Sequence, residues 1–399
     1  MKMFDLAIVG SGILGSSAAC HAVQAGLSVL LCEAGERANE ATVRNFGQIV
    51  PSGQSLEGWR QLGMRSLKFY EALRESAGIP VVRGGSLYVA SDAEEATLLE
   101  ELHALDKQMD YPSALLTAAQ CLERLPALRT DYAVAGLFYP QELSADSPRL
   151  VPAILNWLGR HSRFSYRNRT LITRVGEDAA HCELVTASGE VLQARRVLVC
   201  SGHLLNRLFP ATLAEAGMRI SKLQMMCTPP WPEVKLGSNV LTGLTIRRYE
   251  AFAACASHAR LSLPEAHREH RELGIHVLFK QNADGCIIIG DSHEYFAGTQ
   301  VDCLDYAISE RINRLIIEEA KRIVALPDWC MARYWNGYYC QHDADHIYMR
   351  TLGRNVHVVT GIGGKGMSTG PGLMERVVRA VVDEVPLESL RVSDWVSSG

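Results

Sequence analysis

The sequence predicts a mixed α/β protein, with a parallel, helix-linked sheet at the amino terminus and an antiparallel sheet in the middle of the chain. Three observations predict it. The first 33 residues read as strand, glycine turn, helix, strand and acid. The strand-like runs 81–90, 222–228, 240–249, 275–281 and 286–291 lack intervening helices of crossover length, which suits antiparallel pairing. Near the end, residues 356–372 read as a buried strand feeding a glycine-rich turn and a helix.

The first unit opens with an apolar run at 4–9 that enters Gly10-Ser11-Gly12-Ile13-Leu14-Gly15. A small-residue helical stretch then runs to Ala25, with Gly26 placed as its C′ cap, and 27–32 is a second apolar strand closed by Glu33. Strand, G-x-G-x-x-G, helix, strand and acid in this order form a dinucleotide-binding fingerprint of Rossmann type. Gly10 permits the tight turn, Gly12 lets backbone approach a pyrophosphate, and Gly15 lets the helix pack on the sheet. The helix start offers unpaired N–H groups to the diphosphate. Glu33 can accept both ribose hydroxyls, and its charge disfavours a 2′-phosphate. The fingerprint alone leaves NAD and FAD open.

Composition bounds the rest. At roughly 150 residues per domain, 399 residues suggest two or three domains, and 47% hydrophobic with 21% charged residues is an ordinary globular mixture. A net charge of −4 with no basic block removes the electrostatic basis for nucleic-acid binding. The eleven cysteines are scattered, with no metal knuckle or redox pair, so we expect free thiols, no metal and a reducing cytoplasm. Residues 6–32 carry no charge and are long enough to cross a bilayer. Gly10, Gly12, Gly15, Gly26, His21 and Gln24 interrupt them, and a single Lys2 precedes Asp5, so stable membrane insertion is not expected. Composition says nothing of the oligomeric state.

Three further segments narrow the choice of cofactor. Ala41-Thr-Val-Arg-Asn-Phe-Gly-Gln-Ile-Val-Pro51 follows Glu33, Arg196-Val-Leu-Val-Cys-Ser-Gly-His203 is a strand ending in a glycine turn, and Val356 to Gly372 carries Gly361, Gly363, Gly364 and Gly366 in six residues. With the fingerprint, this order resembles the D-amino-acid oxidase, glycine oxidase and sarcosine oxidase family of FAD enzymes. The resemblance implies a glycine-oxidase-like α/β (α+β overall) fold, its Rossmann-like FAD-binding domain interleaved with a discontinuous antiparallel-sheet substrate domain. The FAD-binding domain takes 1–80, 145–215 and 335–399; the substrate domain takes 81–144 and 216–334. Asn282-Ala283-Asp284-Gly285 reads as a hairpin loop within the latter.

Carried over by position, the resemblance puts Gly10, Gly12, Ile13 and Leu14 at the diphosphate and Glu33 and Ala34 at the adenosine. It puts Arg44, Asn45, Gly47 and Gln48 at the isoalloxazine, Leu171 beside the adenine, and Ser201 and Gly202 at the turn after the second strand. Gly361, Gly363, Gly364, Lys365, Gly366 and Met367 form the turn whose amides face the pyrimidine end of the flavin, where donors stabilise negative charge on the ring.

This chain departs from the family in Trp335-Asn-Gly-Tyr-Tyr-Cys-Gln-His342. Relatives that oxidise α-amino acids carry Gly-x-Arg there, the arginine gripping the substrate carboxylate in a fork; here Tyr339 takes its place. Gly337 stands where sarcosine-type members have a flavin-tethering cysteine, so FAD is expected to be non-covalent, with Cys340 out of register. Another cation must hold any substrate anion, and the candidates are Lys365, Arg44, Arg247, Arg248, His276, Lys280 and His342. Lys365 is favoured for its glycine neighbours.

Further similarity to the branch of the family linked to aminophosphonate breakdown implies 2-aminoethylphosphonate or its N-methyl derivative as substrate and phosphonoacetaldehyde as product. The implied reaction is hydride transfer from the α-carbon of a neutral primary or secondary amine to flavin N5, then imine hydrolysis. Lys365 lowers the amine's pKa in this scheme, and Tyr338, Tyr339 and His342 orient it. Ile289, near the place of an oxygen-activating lysine, points to a slow oxidase or a dehydrogenase. The alternatives are a glycine or sarcosine oxidase or D-amino-acid dehydrogenase, a non-catalytic flavin-carrying subunit, and an NAD-dependent dehydrogenase.

Overall fold

Two large sheets organise the chain in the computed structural model, which describes residues 2–178, 180–262 and 264–395. In the first, Val356–Thr360, Val191–Val199, Met3–Val9, Val29–Cys32 and Phe164–Arg167 lie side by side and parallel. Parallel strands bury both faces, so their residues alternate between two apolar layers. Leu6 and Ile8 face a core shared with the helices Ile13–Gln24, Trp59–Ala77, Ser147–Leu158 and Gly366–Val382. Ala7 and Val9 face a second core that includes Ile220 and Tyr338 from the other sheet.

The second sheet is built on Met218–Cys227. Arg333–His342 runs antiparallel along its whole length, and on the other edge Glu294–Ala297 covers its first half and Ile287–Gly290 its second. Leu278–Gln281 and Ile287–Gly290 pair as the expected hairpin around Asn282–Gly285. Asn239–Leu241, Ser86–Ala90, Ala135–Tyr139 and Ala114–Thr117 complete the sheet. Arg333–His342 therefore hydrogen-bonds within the large sheet, although the residues after it return to the parallel one.

Two expected strands are different. The run 81–90 is broken into Val81–Val82 and Ser86–Ala90 by Gly84 and Gly85, the latter at φ +74°. The run 240–249 is a strand only at Asn239–Leu241 and then turns into the short helix Gly243–Ile246. Long-range partners override the β-branched pattern there. Thr242 Oγ1 donates to the Val277 carbonyl at 2.6 Å, and Arg247 is drawn onto Asp92, Glu94 and Glu95.

The helix Trp59–Ala77 is locked to the helix Ala93–Gln108 by Arg60 and Asp106, both fully buried. Arg60 also donates to the Ser52 carbonyl at 2.8 Å, and Tyr139 Oη donates to Asp106 at 2.7 Å. Removing one charge of a buried pair strands the other, at a cost of about 3–5 kcal/mol. Asp106→Ala is expected to lower the urea midpoint accordingly, and an unchanged midpoint would show that the pair adds nothing to stability.

Candidate active site

A cavity of about 630 Å³ lies between the two sheets, its wall running from Glu33 and Leu171 to His276 and Asp291. At the first end, Glu33 Oε2 accepts from the Ser11 N–H at 2.9 Å and its hydroxyl at 2.8 Å, and Oε1 accepts from the Gly35 N–H at 3.0 Å. The Thr170 N–H donates to the Glu33 carbonyl at 2.8 Å, which brings Thr170 and Leu171 onto the same wall.

The helix Ile13–Gln24 begins at Gly12 with no acidic residue in its first turn, and the Ile13 N–H donates to Thr42 Oγ1 at 2.9 Å. The helix Gly366–Val382 begins beside the cavity with no side-chain cap and no acidic residue in its first turn, after Gly361 and Gly363 at φ +74° and +63°. Two helix starts aimed at one cavity favour negative charge within it. Ser201 Oγ and Tyr338 Oη lie buried on the wall without a hydrogen-bond partner. Orphaned donors, glycine-lined turns and an acid at the ribose end fit a dinucleotide with a polar ring system.

Of the residues expected to hold the cofactor, Gly10, Gly12, Ile13, Leu14, Glu33, Ala34, Asn45, Gly47, Gln48, Leu171, Ser201, Gly202, Gly361, Gly363, Gly364, Lys365, Gly366 and Met367 all line this cavity. Asn45 shapes its loop: its amide donates to the Ala41 and Thr42 carbonyls, and its Oδ1 accepts from Gly47 and Ser147. Arg44 is the exception. Its guanidinium turns away and donates to the Asn39 and Asn336 carbonyls at 2.7 and 3.1 Å, so it braces the loop against the large sheet.

The other end holds the residues expected to meet the substrate. Tyr338 and Tyr339 both line the cavity, with Tyr339 Oη beside Gly364. Burial pushes the Tyr338 phenol up to about 12 and Tyr339 higher, so both stay neutral donors. Lys365 is on the wall but is paired with Glu250, which offsets its charge. His342 is off the wall: its backbone N–H bonds Gly361 and its ring accepts from the Asp345 N–H, so it has a loop-holding place. Arg247 is spent on three carboxylates, and Lys280 donates to the Ala145 carbonyl at 2.9 Å and to Asn282 at 2.5 Å. Burial lowers the Lys280 ammonium to about 8.

What remains is a group that the sequence did not single out as a unit. Arg248, Tyr249, His276, Asp291, His293 and Tyr295 face the cavity together. Among the described residues Arg248 forms no ion pair; it donates to the Tyr295 hydroxyl at 3.1 Å and the Gly274 carbonyl at 3.4 Å. His276 Nδ1 lies 3.2 Å and His293 Nδ1 3.9 Å from Asp291 Oδ1. Burial raises the Asp291 carboxyl to about 7, against the opposing pull of Arg248, and holds both imidazoles well below their usual range. The hairpin register was the signal for this cluster. Carried back from Leu278 opposite Gly290, the ladder puts His276 opposite Ser292; the register slips by one residue there, and His276 and Asp291 exchange backbone hydrogen bonds of 2.9 and 3.1 Å.

The sequence pattern of the family described as FAD dependent oxidoreductase (DAO) matches residues 5–379. The chain belongs to that family, and the choice between NAD and FAD is thereby decided for FAD. It is 23% identical over 358 residues to a component of the opine oxidase of Rhizobium meliloti, covering 85% of this chain and 82% of that one. It is 27% identical over 216 residues to N-methyl-L-tryptophan oxidase of Escherichia coli (strain SMS-3-5 / SECEC), which is 52% of this chain and 56% of that relative. Among solved structures, glycine oxidase from Bacillus cereus superposes with a TM-score of 0.77 over 97% of both chains at 16% identity, which shows the glycine-oxidase-like fold. Among the described residues, no helix is long and apolar enough to cross a membrane.

Proposed function

We propose that this protein oxidises a small primary or secondary amine that carries an anionic group, best matched by 2-aminoethylphosphonate or its N-methyl derivative. The observation that carries the proposal is Arg248, a guanidinium on the cavity wall with no carboxylate partner among the described residues. It takes over the task of the arginine that Tyr339 replaces. The names of the relatives, a component of an opine oxidase and an N-methyl-amino-acid oxidase, support an amine as the group oxidised.

FAD, held non-covalently along the glycine turns, supplies a two-electron acceptor for the α-carbon's C–H bond. The chain supplies placement. Arg248 grips the anion with forked, charge-assisted hydrogen bonds, and Tyr249 and Tyr339 wall the site against water. The neutral phenols of Tyr338 and Tyr339 orient the amine. Water then converts the imine to phosphonoacetaldehyde, with ammonia or methylamine leaving. Ile289 is buried in the core of the large sheet, away from the cavity wall, so it does not stand where an oxygen-activating side chain would act.

Anaerobic mixing of the yellow holoprotein with amines tests this. The aminophosphonates are expected to bleach the flavin within seconds, with sarcosine and glycine slower. Fast bleaching by D-alanine with none by either aminophosphonate would make the protein a D-amino-acid dehydrogenase. No bleaching by any amine would leave a flavin carrier without turnover.

A further inference from the structure

Two buried polar atoms in the substrate end have no hydrogen-bond partner although they lie 3.2 Å apart: His276 Nδ1 and Asp291 Oδ1. The residues are 4% and 7% exposed, and both sit on the cavity wall. A buried polar atom left unpaired is destabilising, so both atoms favour a partner between them. With His276 in the tautomer whose Nδ1 carries no hydrogen, the carboxylate oxygen and this nitrogen are two acceptors, and one added proton satisfies both.

The source of that proton follows from the amine. A free alkyl ammonium has a pKa near ~10, so the substrate arrives as R–CH2–NH3⁺, and its nitrogen has no lone pair to assist loss of the α-hydrogen. We propose that Asp291 is the proton acceptor of this site, taking the proton from the substrate's ammonium group and sharing it with His276. An N–H bond breaks and its electron pair stays on nitrogen as the lone pair. An O–H bond forms on the Asp291 carboxylate, which becomes neutral, and the O–H then donates to His276 Nδ1. This rests on the amine reading above.

The charges around Asp291 support the exchange. Arg248 and Tyr249 face it from the segment after the short helix, His276 and His293 from the hairpin and its continuation, and Tyr339 from Arg333–His342. Burial keeps both phenols protonated and both imidazoles neutral. The balance in this group is therefore one guanidinium against one carboxylate. When the carboxylate takes the proton, the positive charge of Arg248 is left for the substrate's own anion. A zwitterion thus delivers both parts, a proton to Asp291 and an anion to Arg248.

The test uses holoprotein and an amine that cannot be oxidised. In 2-amino-2-methylpropylphosphonate the carbon bearing nitrogen has no hydrogen; 2-aminoisobutyrate is the equivalent probe for an α-amino acid site. Binding is read from the shift of the flavin's visible spectrum. Wild-type affinity is expected to stay level from about pH 7.5 to about pH 9.5, because ammonium and ionised Asp291 bind together. Asp291→Asn, which is isosteric and neutral, must select the rare free amine, so its affinity is expected to rise about tenfold per pH unit over that range. It should be about a hundredfold weaker than wild type at the acid end. Asp291→Glu is expected to restore the level profile, and Asp291→Ser carries the same test should the asparagine variant lose its flavin.

Binding by the wild type with a parallel profile in Asp291→Asn overturns the assignment and leaves the amine reading standing. Absence of a spectral shift with either probe in the wild type overturns both. A stoichiometric divalent metal in the wild type that Asp291→Asn loses also overturns the assignment, since the carboxylate would then be a ligand.

Discussion

Gly15→Ala is expected to yield a protein with little or no bound FAD and a sharply lower melting temperature. A Cβ built on Gly15 falls 1.8 Å from the Gly10 carbonyl oxygen and 3.0 Å from its carbon, and both are backbone atoms with no rotamer to retreat into. Gly10 itself is held at φ +100°, where its own Cβ would strike the Cys200 carbonyl at 2.6 Å, so the turn cannot yield towards the neighbouring strand. The helix Ile13–Gln24 must therefore lift off the sheet, carrying with it the helix start on the cavity wall. Overpacking a tight contact costs about 1–3 kcal/mol, and a backbone clash belongs at or above the top of that range. The ratio of absorbance at the flavin band to that of the protein, with a thermal melt, measures both effects. Gly176→Ala is the control, since nothing lies within 4 Å of its Cβ. Normal flavin content in Gly15→Ala would show that the helix start does not hold the cofactor.

Arg248→Met is expected to lower kcat/KM for anionic amines by about a hundredfold or more, at about 1.5–3 kcal/mol for each hydrogen bond to a charged group. Lys365→Met should cost less, because Glu250 already offsets that ammonium. An uncharged amine of the same length, poor with the wild type, should lose nothing further in Arg248→Met. Equal losses for charged and uncharged amines would remove Arg248 from anion recognition. The substitution has a second signature. With its carboxyl raised to about 7 in the fold, Asp291 contributes stability at low pH that is lost as pH rises through that value. Arg248 opposes the rise, so its removal moves the loss to still higher pH. Glu142 titrates near the same value, so the difference between variant and wild-type melting curves is the quantity to compare.

The parts of the site that were legible in the sequence are those in which one short segment does the whole task. The turn Gly10 to Gly15, the acid Glu33 and the glycines from Gly361 to Gly366 carry their function in local backbone geometry, and all of them reach the cavity. The substrate end was legible as single residues without their relations. Arg248, His276 and Lys365 stood together as candidate cations, yet each one's charge depends on partners elsewhere in the chain. Glu250 sits 115 positions from Lys365, and Glu95 sits 152 from Arg247. Arg44 shows the same limit, since its guanidinium is captured by the Asn336 carbonyl in a strand 292 residues away.

The stretch 240–249 shows how a local pattern is overridden. Its β-branched residues read as strand, and the chain bends into a helix because Arg247 gains three carboxylates and Thr242 gains the Val277 carbonyl. That bend sets Arg248 on the cavity wall.

From the order of residues alone come the parallel sheet, the dinucleotide turn and the glycine lining, because hydrophobic period and glycine placement act over a few neighbouring positions. Which cation stays free for a substrate anion, and that Asp291 meets His276 with no hydrogen bond between their side chains, were decided only in three dimensions. Coulomb attraction and burial depend on distance through space, and the separation of two residues along the chain does not specify that distance.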